Sequence, residues 1–330
     1  MASKLLQIKN YIPVLCLVLA SLKAEAQLIK GRVMDFETDQ GVPHASIYFN
    51  NSLNGTTSDL DGHFKLDISQ NLGQEIVVSC VGYSSETLLD YSEGKFFLIY
   101  LNPRSVLLPE LLVESKDGTR KKKLKSFLKE FLGTTSNAKK CKILNLEYLQ
   151  LVFHHSTNTL EAFADRPLII ENRALGYRIT YFLKEFRHDG KRTYFEGNYV
   201  FEEDSSLSQK DRIKIERKRM RVYSGSRMHF MRALWNNQLE ESDFIVKKRK
   251  NGESRSYHEL VEQQFHGKKY LSAASPLIIY YLDESSYIAF KQKDEVLFTE
   301  SGYLDPEGLI WEGSMAFQRM ADALPFEYIP

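Results

Sequence analysis

Short alternating stretches of apolar and polar residues dominate the first third of the chain. Segments 28–34, 45–49, 56–58, 63–66, 75–80, 85–89 and 96–101 each read as a strand, and 111–113 reads as a last short one. Turn residues separate them. Gly41-Val42-Pro43 precedes the second, and Asp59-Leu60-Asp61-Gly62 joins the third to the fourth as a hairpin signal. Strands this short and this closely spaced cannot each bury two faces. Two sheets must close on one another, which predicts an all-β sandwich over residues 27–114.

The pattern then changes period. Ser115-Lys116-Asp117-Gly118-Thr119 is polar and marks a boundary. Leu124, Phe127, Leu128, Phe131 and Leu132 recur at helical spacing, and Gly133 stops the run. Residues 115–145 therefore read as a linker and a basic amphipathic helix, with Arg120, Lys121, Lys122, Lys123, Lys125 and Lys129 on its polar sides. One reading of that basic side is a patch for phosphate-bearing lipid or nucleic acid. The other is a solvated surface whose apolar side docks on the next domain.

Residues 146–330 read as an α+β domain, mainly antiparallel. Strands are predicted at 149–153, 160–164, 168–171, 177–187, 192–201, 244–248, 277–282, 287–291 and 296–300. Two helices are predicted at 209–223 and 226–236, broken at Ser224-Gly225-Ser226, with Ser226 as N-cap. No internal repeat is visible.

The first 26 residues carry an address. Lys4 and Lys9 precede an apolar run over 12–22, too short to span a bilayer, and Ala24-Glu25-Ala26 supplies a small-x-small cleavage site. A signal peptide over 1–26 is expected, followed by an exported chain residing in the periplasm or at the outer membrane. No later stretch is apolar enough for a spanning helix. Only Cys80 and Cys141 follow the cleavage site; they are expected as two buried thiols, and their number excludes a cysteine metal set.

A family resemblance rests on particular residues. Ile29-Lys30-Gly31-Arg32-Val33, Gly41-Val42-Pro43-His44-Ala45-Ser46-Ile47, Gly55-Thr56-Thr57-Ser58-Asp59-Leu60-Asp61-Gly62-His63-Phe64 and Ser79-Cys80-Val81-Gly82-Tyr83 follow one another in the order and spacing of a carboxypeptidase-D-like regulatory domain. Leu101-Asn102-Pro103 and Leu108-Pro109-Glu110-Leu111 fit as well. The resemblance implies a transthyretin-like (prealbumin-like) sandwich, of a kind found in exported envelope proteins of the Bacteroidota. The C-terminal region resembles the uncharacterised second half of such proteins through Leu175-Gly176-Tyr177, Tyr223-Ser224-Gly225-Ser226 and Ser301-Gly302-Tyr303.

The resemblance implies a regulatory domain that is the non-catalytic companion of a zinc peptidase, whose own motif would have to stand elsewhere in the chain. No histidine has glutamate at the third position after it, and His-Glu-x-x-His is absent. Asp59-Leu60-Asp61-Gly62 fails as a calcium loop, because Ile68 stands where the loop needs an acid. No two glycines are spaced for Gly-x-Ser-x-Gly. No metal, cofactor or catalytic set is expected.

The most suggestive cluster is Tyr223, Ser226, His229 and Arg232, a candidate surface cluster. Ser226 and His229 fall at N-cap and N3 of the second helix. A nucleophile needs an orienting acid and an oxyanion site besides, so the cap is the simpler reading. Arg232 suits an anion or an internal carboxylate such as Glu171. His154 and His155 are adjacent in a strand and point to opposite faces, which makes them poor joint ligands. Seven basic residues between Lys210 and Arg221 suit phosphate groups of lipopolysaccharide, or a solvated helix.

Charge narrows the partners. Lys and Arg total 44 against 43 Asp and Glu, so no overall field draws in nucleic acid. The expected function is non-enzymatic: binding or assembly with another envelope protein. The alternatives are glycan or peptidoglycan-fragment binding through an aromatic face of the second domain, and a hydrolase built on Ser226 and His229.

Overall fold

The computed structural model describes residues 27–69, 71, 73–104, 118–263, 268–291, 294–305 and 308–330. The expected signal peptide over 1–26, the strand at 111–113 and most of the polar boundary at 115–119 lie outside the described residues.

Among the described residues seven strands build the N-terminal sandwich: β1 (Leu28–Asp35), β2 (Ser46–Phe49), β3 (Gly55–Thr57), β4 (His63–Asp67), β5 (Ile76–Ser79), β6 (Glu86–Leu88) and β7 (Phe96–Leu101). They form two sheets, in the orders β4-β1-β7 and β3-β2-β5-β6. The β1–β7 pair is parallel and the other pairs are antiparallel. Side chains alternate across each strand, so one set from each sheet meets between them. Ile29, Val33, Ile47, Phe49, Phe64, Val78 and Leu101 form that core. At the β3–β4 turn one Asp59 carboxylate oxygen accepts the N–H groups of Asp61 (3.0 Å) and His63 (2.8 Å). Gly62 takes a φ of +86°, and a Cβ there would lie 2.4 Å from the Val33 carbonyl oxygen, so glycine alone fits.

Helix α1 (Gly118–Leu132) opens the second unit. Phe127 and Phe131 are fully buried, and each such ring contributes about 1.5–3 kcal/mol on burial. Phe127 packs edge-on to Phe186 at 4.8 Å, and Phe131 edge-on to Tyr181 at 4.9 Å. The helix thus lays its apolar stripe on the sheet that follows it. That sheet comprises β8 (Cys141–Ile143), β9 (Leu149–His154), β10 (Thr159–Ala164), β11 (Leu168–Asn172), β12 (Tyr177–His188) and β13 (Thr193–Glu203). Strand β12 is its spine. β13 runs along one side, while β11 and β10 share the other. Phe127, Phe131, Leu132, Cys141 and Ile143, from the segment read in the sequence as a linker and helix ahead of the C-terminal domain, pack into this core.

Helices α2 (Gln209–Tyr223) and α3 (Arg227–Trp235) follow. Then come β14 (Phe244–Lys248), α4 (Tyr257–Leu260), β15 (Val261–Gln263), β16 (Lys269–Ser272), β17 (Leu277–Tyr281), β18 (Glu284–Phe290), β19 (Glu295–Phe298) and β20 (Leu309–Gly313). Two antiparallel sheets, β14-β17-β18-β20 and β15-β16-β19, close with α3 over a separate core of Phe230, Leu234, Phe244, Leu271, Ile288 and Phe298. The C-terminal region is therefore α+β and mainly antiparallel, and it encloses two hydrophobic clusters. Among the described residues no helix is long and apolar enough to cross a membrane.

The sandwich is tied to the second unit through the β2–β3 connection. Tyr48 stacks on Phe182 at 5.4 Å. The Asn51 N–H donates to the Tyr199 carbonyl and the Phe201 N–H to the Ser52 carbonyl, both at 2.8 Å. The Glu327 carboxylate accepts from the Leu53 N–H (2.9 Å) and the Asn71 amide (3.0 Å). The free edge of β13 is thereby covered by the sandwich, and the C-terminal tail locks the joint.

Candidate functional site

The four residues of the candidate cluster do come together, at the corner between α2 and α3. Gly225 turns the chain there with a φ of +74°, and a Cβ on it would meet the Tyr281 ring at 2.6 Å. Ser226 caps α3. Its Oγ accepts the His229 backbone N–H at 3.0 Å, satisfying one of the free donors of the first turn. His229 Nδ1 accepts the Gly225 N–H at 3.1 Å, which leaves the proton of the neutral ring on Nε2. The imidazole is wedged among Tyr223 (4.8 Å), Phe244 (4.9 Å) and Tyr281 (5.7 Å). Burial lowers its pKa below the ordinary value; the Arg232 charge adds to the shift and Asp243 opposes it.

Arg232 is the keystone. Nε donates to the Ser301 carbonyl (2.9 Å), one terminal nitrogen to the Tyr328 carbonyl (2.7 Å) and the other to the Phe326 carbonyl (2.8 Å). Its guanidinium also lies 5.5 Å from the Tyr223 ring centre. The planar fork matches three carbonyls converging from two segments, a geometry that an ammonium cannot reproduce.

Several expectations are corrected. The cluster is not a surface one throughout: Tyr223 and Ser226 are only 7% and 5% exposed, and His229 and Arg232 are half-buried. The cap expected of Ser226 is present, its Oγ engaging the backbone of His229, whereas the hydrolase alternative needed that hydroxyl on the imidazole. Among the described residues no carboxylate hydrogen-bonds His229, so a Ser-His-acid relay is not assembled. Arg232 does not meet Glu171, which pairs instead with Arg173 at 2.7 Å. Two clefts of about 330 and 350 Å³ lie elsewhere, one beneath α2 and one beside His154.

The remaining candidates separate in space. His154 Nε2 contacts Glu161 at 2.9 Å, while His155 packs edge-on against Phe153 at 5.0 Å. Asp59, Asp61 and His63 converge at the exposed β3–β4 turn, where Asp59 is committed to the backbone. Cys80 and Cys141 are free thiols, but only Cys141 is buried as expected; Cys80 is half-buried. Burial pushes the Cys141 thiol up to about 12. The rings that alternation placed on one side of β12, Tyr177 and Tyr181, are buried, so they offer no face to a glycan.

Sequence reasoning missed a surface on the sandwich. Phe96, Leu98 and Tyr100 project from the outer face of β7, and Phe96 and Leu98 are 59% and 57% exposed. Phe36 packs edge-on against Tyr100 at 6.3 Å and is itself 63% exposed. Among the described residues β7 lies at the edge of its sheet. The parallel register sets Lys30 beside Phe96 and Arg32 beside Leu98. The signal was legible in retrospect: Phe96-Phe97-Leu98-Ile99-Tyr100-Leu101 lacks the polar alternates of a strand with one wet face.

The fold defines the N-terminal unit as a small two-sheet β-sandwich joined to a larger antiparallel α+β unit. Residues 29–113 match the CarboxypepD_reg-like domain family, and the chain carries a domain of that regulatory, non-catalytic type. No curated protein matches the chain. A solved structure similar to it is that of a Bacteroides fragilis protein of unknown function and conjectural membrane association. The two are 12% identical, and the comparison covers 87% of this chain and 92% of the other with a TM-score of 0.18.

Proposed function

We propose that the protein is a non-enzymatic binding or assembly component of the cell envelope, and that it holds another envelope protein against the outer face of β7. The observation that carries this reading is the exposed strip of Phe96, Leu98, Tyr100 and Phe36 on an edge strand. Contiguous apolar surface of this kind costs free energy in water unless a partner covers it. Among the described residues no strand pairs with the outer edge of β7, which adds backbone donors and acceptors for β-augmentation, and Lys30 and Arg32 supply a polar rim. The leader-like pattern over 1–26 supports an exported setting. The capped and saturated Ser226–His229–Arg232 corner favours structure over hydrolysis.

The test is a photo-reactive residue placed at Leu98 of the full chain in its native cells, with Lys191 on the β12–β13 turn as control position. The expected result is one discrete adduct with a different envelope protein from position 98 only, lost when Phe96 and Tyr100 are both changed to Ser. Absence of an adduct, equal adducts from both positions, or an adduct solely with a second copy of this chain would overturn the proposal.

A further inference from the structure

A second surface, independent of β7, lies on α2. This helix touches the protein through few side chains: Ile215 and Tyr223 are its buried residues. Arg219 anchors it by donating to the Leu175 carbonyl (2.9 Å) and stacking on the Tyr177 ring at 4.0 Å. The opposite side faces water. Lys210, Lys214, Arg217 and Arg221 follow one another there at helical spacing, with exposed Ile213 and Met220 on the adjoining flank, where Ile213 also borders the cleft beneath the helix with Glu203, Asp204 and Glu216.

The fold's own stability does not account for this stripe. Lys210/Lys214 and Arg217/Arg221 are like-charged pairs four residues apart, and such pairs weaken a helix. Lys210 also stands in the first turn, where the helix dipole disfavours a cation. The nearby acids are committed: Asp211 accepts from the N-cap Ser208 hydroxyl at 2.6 Å, Glu203 pairs with Arg219 at 3.0 Å, Asp204 accepts from the Ser206 hydroxyl at 2.6 Å, and Glu216 leans toward Arg219 at 3.7 Å. Among the described residues no carboxylate pairs with Lys210, Arg217, Arg221, Lys139 or Lys140, and Lys214 reaches only Asp211, at 3.8 Å. Lys140 extends the cluster. The pKa of Lys218 is lowered first by burial and then by the charges of Lys140, Lys214 and Arg221.

We propose that the outward side of α2 is a docking surface for a membrane leaflet bearing anionic phosphate headgroups. The cations meet headgroup phosphates, and Ile213 and Met220 enter the headgroup–acyl boundary, the division of labour of an interfacial amphipathic helix. The two exposed apolar side chains favour this partner over a soluble polyanion, which would use the cations alone.

The experiment is co-sedimentation of the full chain with vesicles of phosphatidylglycerol and phosphatidylethanolamine, against vesicles of phosphatidylcholine. Three variants are compared: K210Q/K214Q/R217Q/R221Q on α2, K121Q/K122Q/K125Q/K129Q on the exposed side of α1, and I213S/M220S. Residues 1–26 are common to all, so differences report on the helices. The wild type is expected to bind the anionic vesicles and to release with salt. The α2 charge variant should lose roughly fivefold per cation, several hundredfold in all, and I213S/M220S roughly tenfold or more. The α1 variant, matched in charge change, should bind nearly as the wild type does. Equal loss in both charge variants, or wild-type partition in the α2 variant, would overturn the proposal. Unchanged vesicle binding by I213S/M220S, with inorganic polyphosphate competing fully, would overturn it in favour of a soluble polyanion. Far-ultraviolet circular dichroism that matches the wild type establishes that each variant is folded.

Discussion

Replacing Arg232 by Ala removes three donors at once and leaves the carbonyls of Ser301, Phe326 and Tyr328 without them. A hydrogen bond from a charged donor contributes about 1.5–3 kcal/mol net. The three share one side chain and water reaches part of the vacated space, so the sum is not additive. An expected loss of about 3–5 kcal/mol follows. That is a large fraction of the roughly 5–15 kcal/mol by which folded domains exceed their unfolded states. Arg232→Lys retains the charge but not the fork, and should lose about half as much. Urea denaturation gives the total; residue-level amide exchange locates it. The Phe326 N–H donates to the Asn51 carbonyl at 3.0 Å, and the neighbouring Glu327 grips Leu53 and Asn71. Exchange should therefore accelerate at Phe326 and Tyr328 and spread to residues 51–53 of the sandwich. If Arg232→Ala left the urea midpoint and the Phe326 exchange rate at wild-type values, the tail-anchor role would be refuted.

Two further outcomes follow from the same packing. His229 has a lowered pKa in the folded state, so its contribution is complete above the ordinary imidazole value of 6.5 and is lost as pH falls through the folded value. His229→Asn keeps an acceptor for the Gly225 N–H without titrating; wild type should lose more stability than this variant between pH 7.5 and pH 5, and equal losses would contradict the assignment. Phe131→Ala opens a cavity between α1 and Tyr181 and should cost about 3–5 kcal/mol, read as a shift in urea midpoint at unchanged slope.

Much of the architecture was legible because it is local. The β3–β4 hairpin follows from Asp59 and Gly62, whose turn chemistry is written in four consecutive residues. Helix α2 was read at its observed limits, since Ser208 and Gly225 bracket an uninterrupted stretch of good helix formers. Strands β8, β15, β16 and β20 escaped the reading. They are three to five residues long, too brief for a period to show, and their place is set by the neighbour they pair with.

The candidate corner shows the same division. By itself the sequence determined that Ser226 would cap α3, because the cap joins residues three apart. Only the tertiary structure decided what Arg232 holds, since its partners lie 69, 94 and 96 residues away and no local pattern encodes them. It likewise decided which aromatics are core and which are surface. Alternation assigns a residue to one of two faces, but whether that face meets a packed helix, as at Tyr181, or water, as at Leu98, depends on what the rest of the chain brings there.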